Sequence, residues 1–319
     1  TFFEFTTALA FQYFAESEVE AAVIEVGMGG RFDATNTLLP MVSVITNVAL
    51  DHQEYLGDSV GAIAFEKAGI IKPGVPVVTG RLVPEAAEVI EKVVTDRGAP
   101  VYRLARDFRT TGDPLTGFHY EGLRWSCRDL SCPLAGLHQL DNVACALAAL
   151  ELASEAGLPA SEQAIRAGLR GTQWEGRLEV VERYPALLLD GAHNPAAAEA
   201  VASYLSSHRL AHPASRIILV VGMMRDKDRA GFLKRLLPLA DELVLTQANI
   251  PRAASVRELA SSLGEKAGVA RVAAHPADAL ALAKRLASPE DLICVTGSLL
   301  LVGAVKALLR GCELSPIRG

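Results

Sequence analysis

Val19-Glu20-Ala21-Ala22-Val23-Ile24-Glu25-Val26 runs straight into Gly27-Met28-Gly29-Gly30-Arg31-Phe32-Asp33-Ala34-Thr35-Asn36. The first half has the length and β-branched content of a strand buried on both faces. The second half is a loop dense in polar groups and in residues that tolerate unusual backbone angles. A second apolar run, residues 42–48, ends in Asp51-His52. As parallel neighbours in one sheet, the two runs would bring Glu25 and His52 out together at the carboxyl edge, where open α/β sheets place their ligands. A lone Glu at a strand end is usually an ion-paired or solvated carboxylate, but the three adjoining glycines favour a ligand role. Mg²⁺ prefers oxygen ligands and keeps its waters, whereas an imidazole suits Mn²⁺ or Zn²⁺ better, so ligand type leaves the metal open.

Outward from this stretch, helix and strand alternate. Phe2, Phe5, Leu9 and Phe14 are spaced for a first helix over residues 2–15. A helix at 59–71 is closed by Lys72-Pro73-Gly74, and a strand at 75–78, a helix at 84–97 and a strand at 101–104 follow. Residues 107–134 break the rhythm: Phe108, Phe118, Tyr120, Leu123 and Trp125 alternate with polar residues and turn formers, which predicts antiparallel hairpins on the sheet edge. An Ala-rich helix to residue 156 and a shorter one at 161–169 lead to a boundary near 171–173. Past it the alternation restarts, with strands at 178–181, 187–189, 217–221, 242–245, 269–272 and 292–295. The helices between and after them are at 196–206, 229–236, 256–267, 277–287 and 300–309. Two domains are expected, 1–172 and 173–319, both α/β.

Half of the 319 residues are hydrophobic and only 6% aromatic, which suits helices packed on parallel sheets. A net charge of −6 without Lys/Arg clusters argues against a nucleic-acid surface. No apolar run approaches the roughly 20 residues of a membrane span, and residues 1–14 lack the basic start of a signal peptide. Cys127, Cys132, Cys145, Cys294 and Cys312 are odd in number and scattered, which points to a reducing cytoplasm rather than a disulfide framework.

Several further groups carry chemistry, each with a plainer reading beside it. Lys67, near a helix end, is by default a solvated cation favoured by the helix dipole. Asp190-Gly191-Ala192-His193-Asn194-Pro195 is a strand-to-helix turn loaded with hydrogen-bonding groups; Asn194 as a cap with Pro195 at the first helical position explains part of it but leaves Asp190 and His193 unexplained. In Trp174-Glu175-Gly176-Arg177 the arginine is suited to a phosphate, or to packing on Trp174. Ser298 in Thr296-Gly297-Ser298 reads most simply as a helix cap.

Together these motifs resemble the folylpolyglutamate synthase / dihydrofolate synthase family of ATP-dependent Mur-type ligases. The likeness rests on residues 25–36, Asp51-His52 with Leu56-Gly57, Glu66-Lys67-Ala68-Gly69-Ile70, Gly136-Leu137-His138-Gln139 with Asn142, Trp174 with Gly176-Arg177, and residues 190–195, in that order. It implies part of a Mur-ligase central ATPase domain, a mostly parallel sheet with flanking helices, followed by a Rossmann-like glutamate-ligase domain. It implies Glu25 and His52 as Mg²⁺ ligands and Lys67 as a carbamylated lysine. Asn142, Arg177 and Asp190 would contact ATP, the last two completing its site when the domains close. Thr1, Phe2, Phe3 and Glu4 with Phe32, Asp33 and Ala34 would line a pterin pocket, and His193 and Ser298 would meet the incoming L-glutamate. The substrates would be dihydropteroate or folate, L-glutamate and ATP, in a cytoplasmic monomer. Two departures stand out: Leu300 replaces the family's Tyr near Ser298, and no Gly-x-x-x-x-Gly-Lys-Ser/Thr phosphate loop occurs in the chain. The expectation is an N-terminally truncated piece, inactive by itself. The nearest rival is a Mur-type ligase of peptidoglycan precursors, against which Gly136-Leu137-His138-Gln139 and residues 31–36 weigh. A non-catalytic folate- or nucleotide-binding relic is the rival from another class, against which the retention of Glu25, His52, Lys67, Arg177 and Asp190 weighs.

Overall fold

The first part of the chain builds two small sheets and the helices that cover them. The computed structural model describes residues 1–264, 268 and 270–312. It opens with α1 (Phe2–Glu16), a single 3-10 turn (Ala34–Thr37), β1 (Ser43–Ile45), α2 (Gln53–Leu56), α3 (Val60–Ala68), β2 (Val77–Thr79), α4 (Pro84–Asp96) and β3 (Val101–Arg103). β1, β2 and β3 pair in parallel in that order. Ala86, Ile90 and Val94 recur every fourth residue, so α4 carries one apolar stripe. That stripe closes a core with Ile63, Ala64 and Ala68 of α3 and with Ile45 and Val77 of the strands. Ser59 caps α3 by accepting from Ala62 N, and Pro84 opens α4 with its backbone angle already set.

β4 (Arg109–Asp113), β5 (Gly117–Glu121) and β6 (Ser126–Leu130) form their own antiparallel sheet, followed by α5 (His138–Glu155) and α6 (Glu162–Gly171). Phe118 and Tyr120 point to the buried face of β5 with polar neighbours outward, the two-residue period of a half-covered strand. Glu151 of α5 is buried against this sheet. It accepts from Tyr120 Oη at 2.7 Å and from the backbone N–H groups of Leu123 and Trp125 at 3.1 Å each.

Two expectations are corrected here. Residues 20–26 are not a strand: they carry no regular structure, β1 is an edge strand, and Val23 is fully exposed. A strand exists only through a ladder with a neighbour, and among the described residues this run has none. Glu25 therefore does not leave a sheet edge beside His52. The hairpins of 107–134 likewise do not extend the parallel sheet, because their buried face is satisfied by Glu151 and α5. The short α2 and the 3-10 turn had no periodicity to announce them.

Beyond Arg170 the second part is one doubly wound sheet. β7 (Glu179–Arg183), β8 (Ala186–Leu189), α7 (Pro195–Ala211), β9 (Ile217–Val221), α8 (Arg229–Leu236), β10 (Glu242–Leu245), α9 (Val256–Ser261), β11 (Ala270–Val272), α10 (Pro276–Leu286), β12 (Leu292–Thr296) and α11 (Leu299–Leu309) follow in order. The sheet order is β11-β10-β9-β12-β8-β7, parallel except for the β7-β8 hairpin. Leu188, Leu219, Leu245 and Cys294 face α7, α8 and α9, while Leu187, Leu189, Val220 and Val295 face α10 and α11. Both faces are covered, so these strands read as unbroken apolar runs. The expected end of the helix at 265–267 and the start of the strand at 269 lie outside the described residues, as do 313–319.

By contacts the chain divides into one unit of Thr1–Ser131 with Gln139–Arg170 and a second of Cys132–His138 with the residues from Gly171 onward. No helix among the described residues is long and apolar enough to cross a membrane. All five cysteines are free, and four of them are buried.

Candidate active site

In the first unit the glycine-rich loop folds onto the end of α3. Arg31 N donates to Glu66 O at 2.8 Å, and a side chain on Gly30 would stand 2.8 Å from that same carbonyl, so only glycine permits the approach. Arg31 Nη2 then reaches Glu66 Oε1 at 2.7 Å, and its guanidinium lies 4.1 Å from the centre of the Phe32 ring and 5.1 Å from that of Phe65. Asp33 braces the loop from inside: Oδ2 accepts from Met28 N, and Oδ1 accepts from Thr35 N and Thr35 Oγ1. Burial pushes its carboxyl up, but the bonds from Thr35, Met28 and Gly27 outweigh that and leave it below the ordinary aspartate range. Asn36 donates to the carbonyls of Arg31 and Gly69 at 3.1 Å each, tying the loop to the turn after α3.

Thr1 and Glu4 form a capping box at the start of α1, and a side chain on Gly27 would collide with the Phe3 ring. Phe3 and the residue 27–34 loop thus lie together, as a shared pocket requires. Phe2 and Phe32 are largely exposed.

Lys67 sits one residue past Glu66 on α3 and is half-buried. Burial lowers its amine pKa and the nearby Asp51 carboxylate raises it, with burial the stronger, so the amine is neutral more readily than an ordinary lysine. Asp51 Oδ1 also accepts from His52 N at 2.8 Å and lies 4.0 Å from His52 Nε2. His52 takes a left-handed backbone, φ 50°, which is uncommon outside glycine and clusters at functional sites. Lys67, Asp51 and His52 are thereby linked. Asp51 is the member of this group to which sequence reasoning gave no role, although it adjoins His52. Glu25 lies in the exposed irregular segment. Among the described residues no three His, Cys, Asp or Glu side chains gather around one point. Asn142, exposed on α5, donates to Gln139 Oε1 at 2.9 Å.

The second unit gathers its candidates at the carboxyl edge of the sheet. β8 leads into α7 on one face and β12 into α11 on the other, so the crevice between these strands is the switch point where such sheets bind ligands. Gly297 N donates to Ala192 O at 2.9 Å, joining the two turns. Asp190 is buried, with Oδ2 accepting from Leu178 N at 2.9 Å and Oδ1 from Ala192 N at 2.8 Å. Burial raises its carboxyl above the usual range, against the pull of those bonds and of Arg177 and His138. Arg177 Nη1 lies 2.9 Å from where a side chain on Gly191 would begin, so the guanidinium covers that glycine. His193 Nδ1 is 3.0 Å from Gly191 O. Asn194 caps α7 through Ala197 N, and Ser298 caps α11 through Leu300 N, both as their plainer readings have it.

The two α/β units, in this order, are those of a Mur-type ligase. Residues 1–150 match the Mur ligase middle domain and residues 176–299 the Mur ligase glutamate ligase domain. The folylpolyglutamate synthase of Lacticaseibacillus casei is 39% identical over 98% of this chain and 72% of its own length. The dihydrofolate synthase/folylpolyglutamate synthase of Bacillus subtilis is 34% identical over 97% of this chain and 72% of its own. The Mycobacterium tuberculosis folylpolyglutamate synthase solved with ADP and AMPPCP superposes with a TM-score of 0.86 at 36% identity, covering 98% of this chain and 73% of that one. Escherichia coli FolC in complex with DHPP and ADP gives 0.85 at 32% identity, covering 98% and 71%. The chain belongs to the folylpolyglutamate synthase/dihydrofolate synthase family.

Proposed function

We propose that this protein uses ATP to ligate L-glutamate to dihydropteroate, to the γ-carboxyl of folates already carrying glutamate, or to both. The observation that carries the reading is the match of both Mur ligase domains, in order, along nearly all of a chain 39% identical to a folylpolyglutamate synthase. A carboxylate is a poor electrophile. Its oxygen takes the terminal phosphoryl group of ATP, releasing ADP; the glutamate amine then attacks the acyl carbon, an amide bond forms, and phosphate and a proton leave.

Several residues suit this chemistry. The Phe3 ring beside the Asp33-braced loop supports a flat apolar pocket for the pterin, lined by Thr1, Phe2, Glu4, Phe32 and Ala34 as well. The family likeness assigns Mg²⁺ to Glu25 and His52; Glu25 lies in an exposed irregular segment and does not fit that role here, whereas His52 would be one ligand of an ion that keeps most of its waters when it has few protein ligands. When bound, that ion neutralises charge on the transferred phosphoryl group. The depressed pKa of Lys67 supports carbamylation: its neutral amine adds to CO₂, an N–C bond forms, a proton leaves, and an anion replaces a cation beside Asp51. Arg177 and Asp190, with Asn142, would contact ATP, and His193 and Ser298 the incoming glutamate.

The test is ADP release by the full protein with ATP, L-glutamate and either dihydropteroate or a folate monoglutamate. Release that requires both glutamate and one pterin substrate is expected, and the preferred pterin settles which ligation predominates. No pterin-dependent ADP release would overturn the reading.

A further inference from the structure

Arg177 sits in a turn that is costly to make. Gly176 has φ 70° and the buried Leu178 has φ 45°, so the residues on both sides of Arg177 are left-handed, and for leucine that conformation is unfavourable. Such a backbone persists only where its surroundings hold it. Three clamps do so. Gly176 O accepts from Gly191 N at 2.8 Å, and Leu178 N donates to Asp190 Oδ2 at 2.9 Å. The third clamp comes from the far end of α11: Gly176 N donates to Glu179 Oε2 at 2.7 Å, and Lys306 Nζ lies 2.7 Å from both oxygens of Glu179.

Lys306 is only one-tenth exposed and also reaches Glu175 Oε2 at 3.1 Å, while Arg310, one helical turn later, holds Glu175 Oε1 at 2.7 Å. The carboxylates two residues before and two residues after Arg177 are therefore gathered on one buried ammonium. A surface ion pair contributes little. A buried cation shared by two carboxylates, one of which caps a strained backbone N–H, fixes geometry instead.

We infer that Lys306, acting through Glu175 and Glu179, is a positioning residue that presents Arg177 to the nucleotide. The inference rests on the reading that Arg177 contacts ATP, and it is tested so that the two can fail separately. ADP binding to the full protein is measured by calorimetry for wild type, Arg177→Ala, Lys306→Met and the double variant. Both single variants raise Kd by about tenfold, and the double variant binds no more weakly than Arg177→Ala alone, because Lys306 works only through Arg177. Lys306→Arg, which keeps the cation, recovers most of the affinity. In turnover, KM for ATP rises in Lys306→Met while KM for glutamate stays in place. Should Lys306→Met not fold, Glu179→Ala at its partly exposed position carries the same expectations. An unchanged Kd in Arg177→Ala would remove the nucleotide role of Arg177 and the inference with it. A weakened Arg177→Ala beside an unaffected or fully additive Lys306→Met would leave Arg177 in place and reduce Lys306 to helix packing.

Discussion

Arg31 and Glu66 are joined twice, backbone to backbone at 2.8 Å and guanidinium to carboxylate at 2.7 Å, across 35 residues of sequence. The same guanidinium lies over Phe32. The pair therefore fixes the proposed pterin wall to the helix that carries Lys67. Arg31→Ala is expected to raise KM for the pterin substrate by about tenfold while KM for ATP moves little. Steady-state kinetics with each substrate varied in turn decide this, and equal increases in both would mean the loop does more than shape one pocket.

Lys67 should give up its proton more readily than an exposed lysine. Its lowered pKa leaves more free base at neutral pH than an exposed lysine offers, which favours the reaction with CO₂. Activity is expected to fall on exhaustive removal of CO₂ and to return with bicarbonate, and Lys67→Arg is expected to be inactive although folded. Full activity in CO₂-free buffer would exclude the modified lysine.

Asp33 gives the loop a pH signature. Its carboxyl lies lower in the folded protein than its ordinary 3.8, so the stabilisation it provides is fully present above that value and is lost as pH falls through the folded one. Asp33→Asn should therefore be less stable than wild type at pH 7, with the gap closing as the pH drops below 3.8. Paired denaturant titrations across that range measure it, and a constant gap would show that shape rather than charge holds the loop.

Glu151 is the chief polar anchor of the antiparallel sheet. Tyr120→Phe removes one bond to it and should cost about 1 kcal/mol, whereas Glu151→Ala strands the tyrosine and the backbone donors of Leu123, Arg124 and Trp125 and should cost about 3 kcal/mol or more. Thermal unfolding of the three proteins tests the ranking. Equal losses would mean that water replaces the carboxylate.

Much of the second unit was legible because its strands are covered on both faces. Runs such as Ile217-Ile218-Leu219-Val220-Val221 leave little choice of structure, and the turns at Asp190 and Thr296 fall where the runs stop. Residues 19–26 are also mostly apolar and form no strand, since composition records a taste for burial and not the presence of a partner. Periodicity placed Lys67 on a helix, but only the folded chain sets Asp51 beside it. Glu179 and Lys306 lie 127 residues apart, and no local pattern links a surface-looking Glu to a lysine late in an apolar helix.

The helix from Leu299 to Leu309 has Ser298 at its head and Lys306 near its tail. It acts as a spacer of fixed pitch, in which one added residue would swing the tail by about 100° relative to the head. Length changes in this unit are therefore tolerable in its surface loops, whereas within this rod even the smallest insertion would uncouple the serine end from the lysine end.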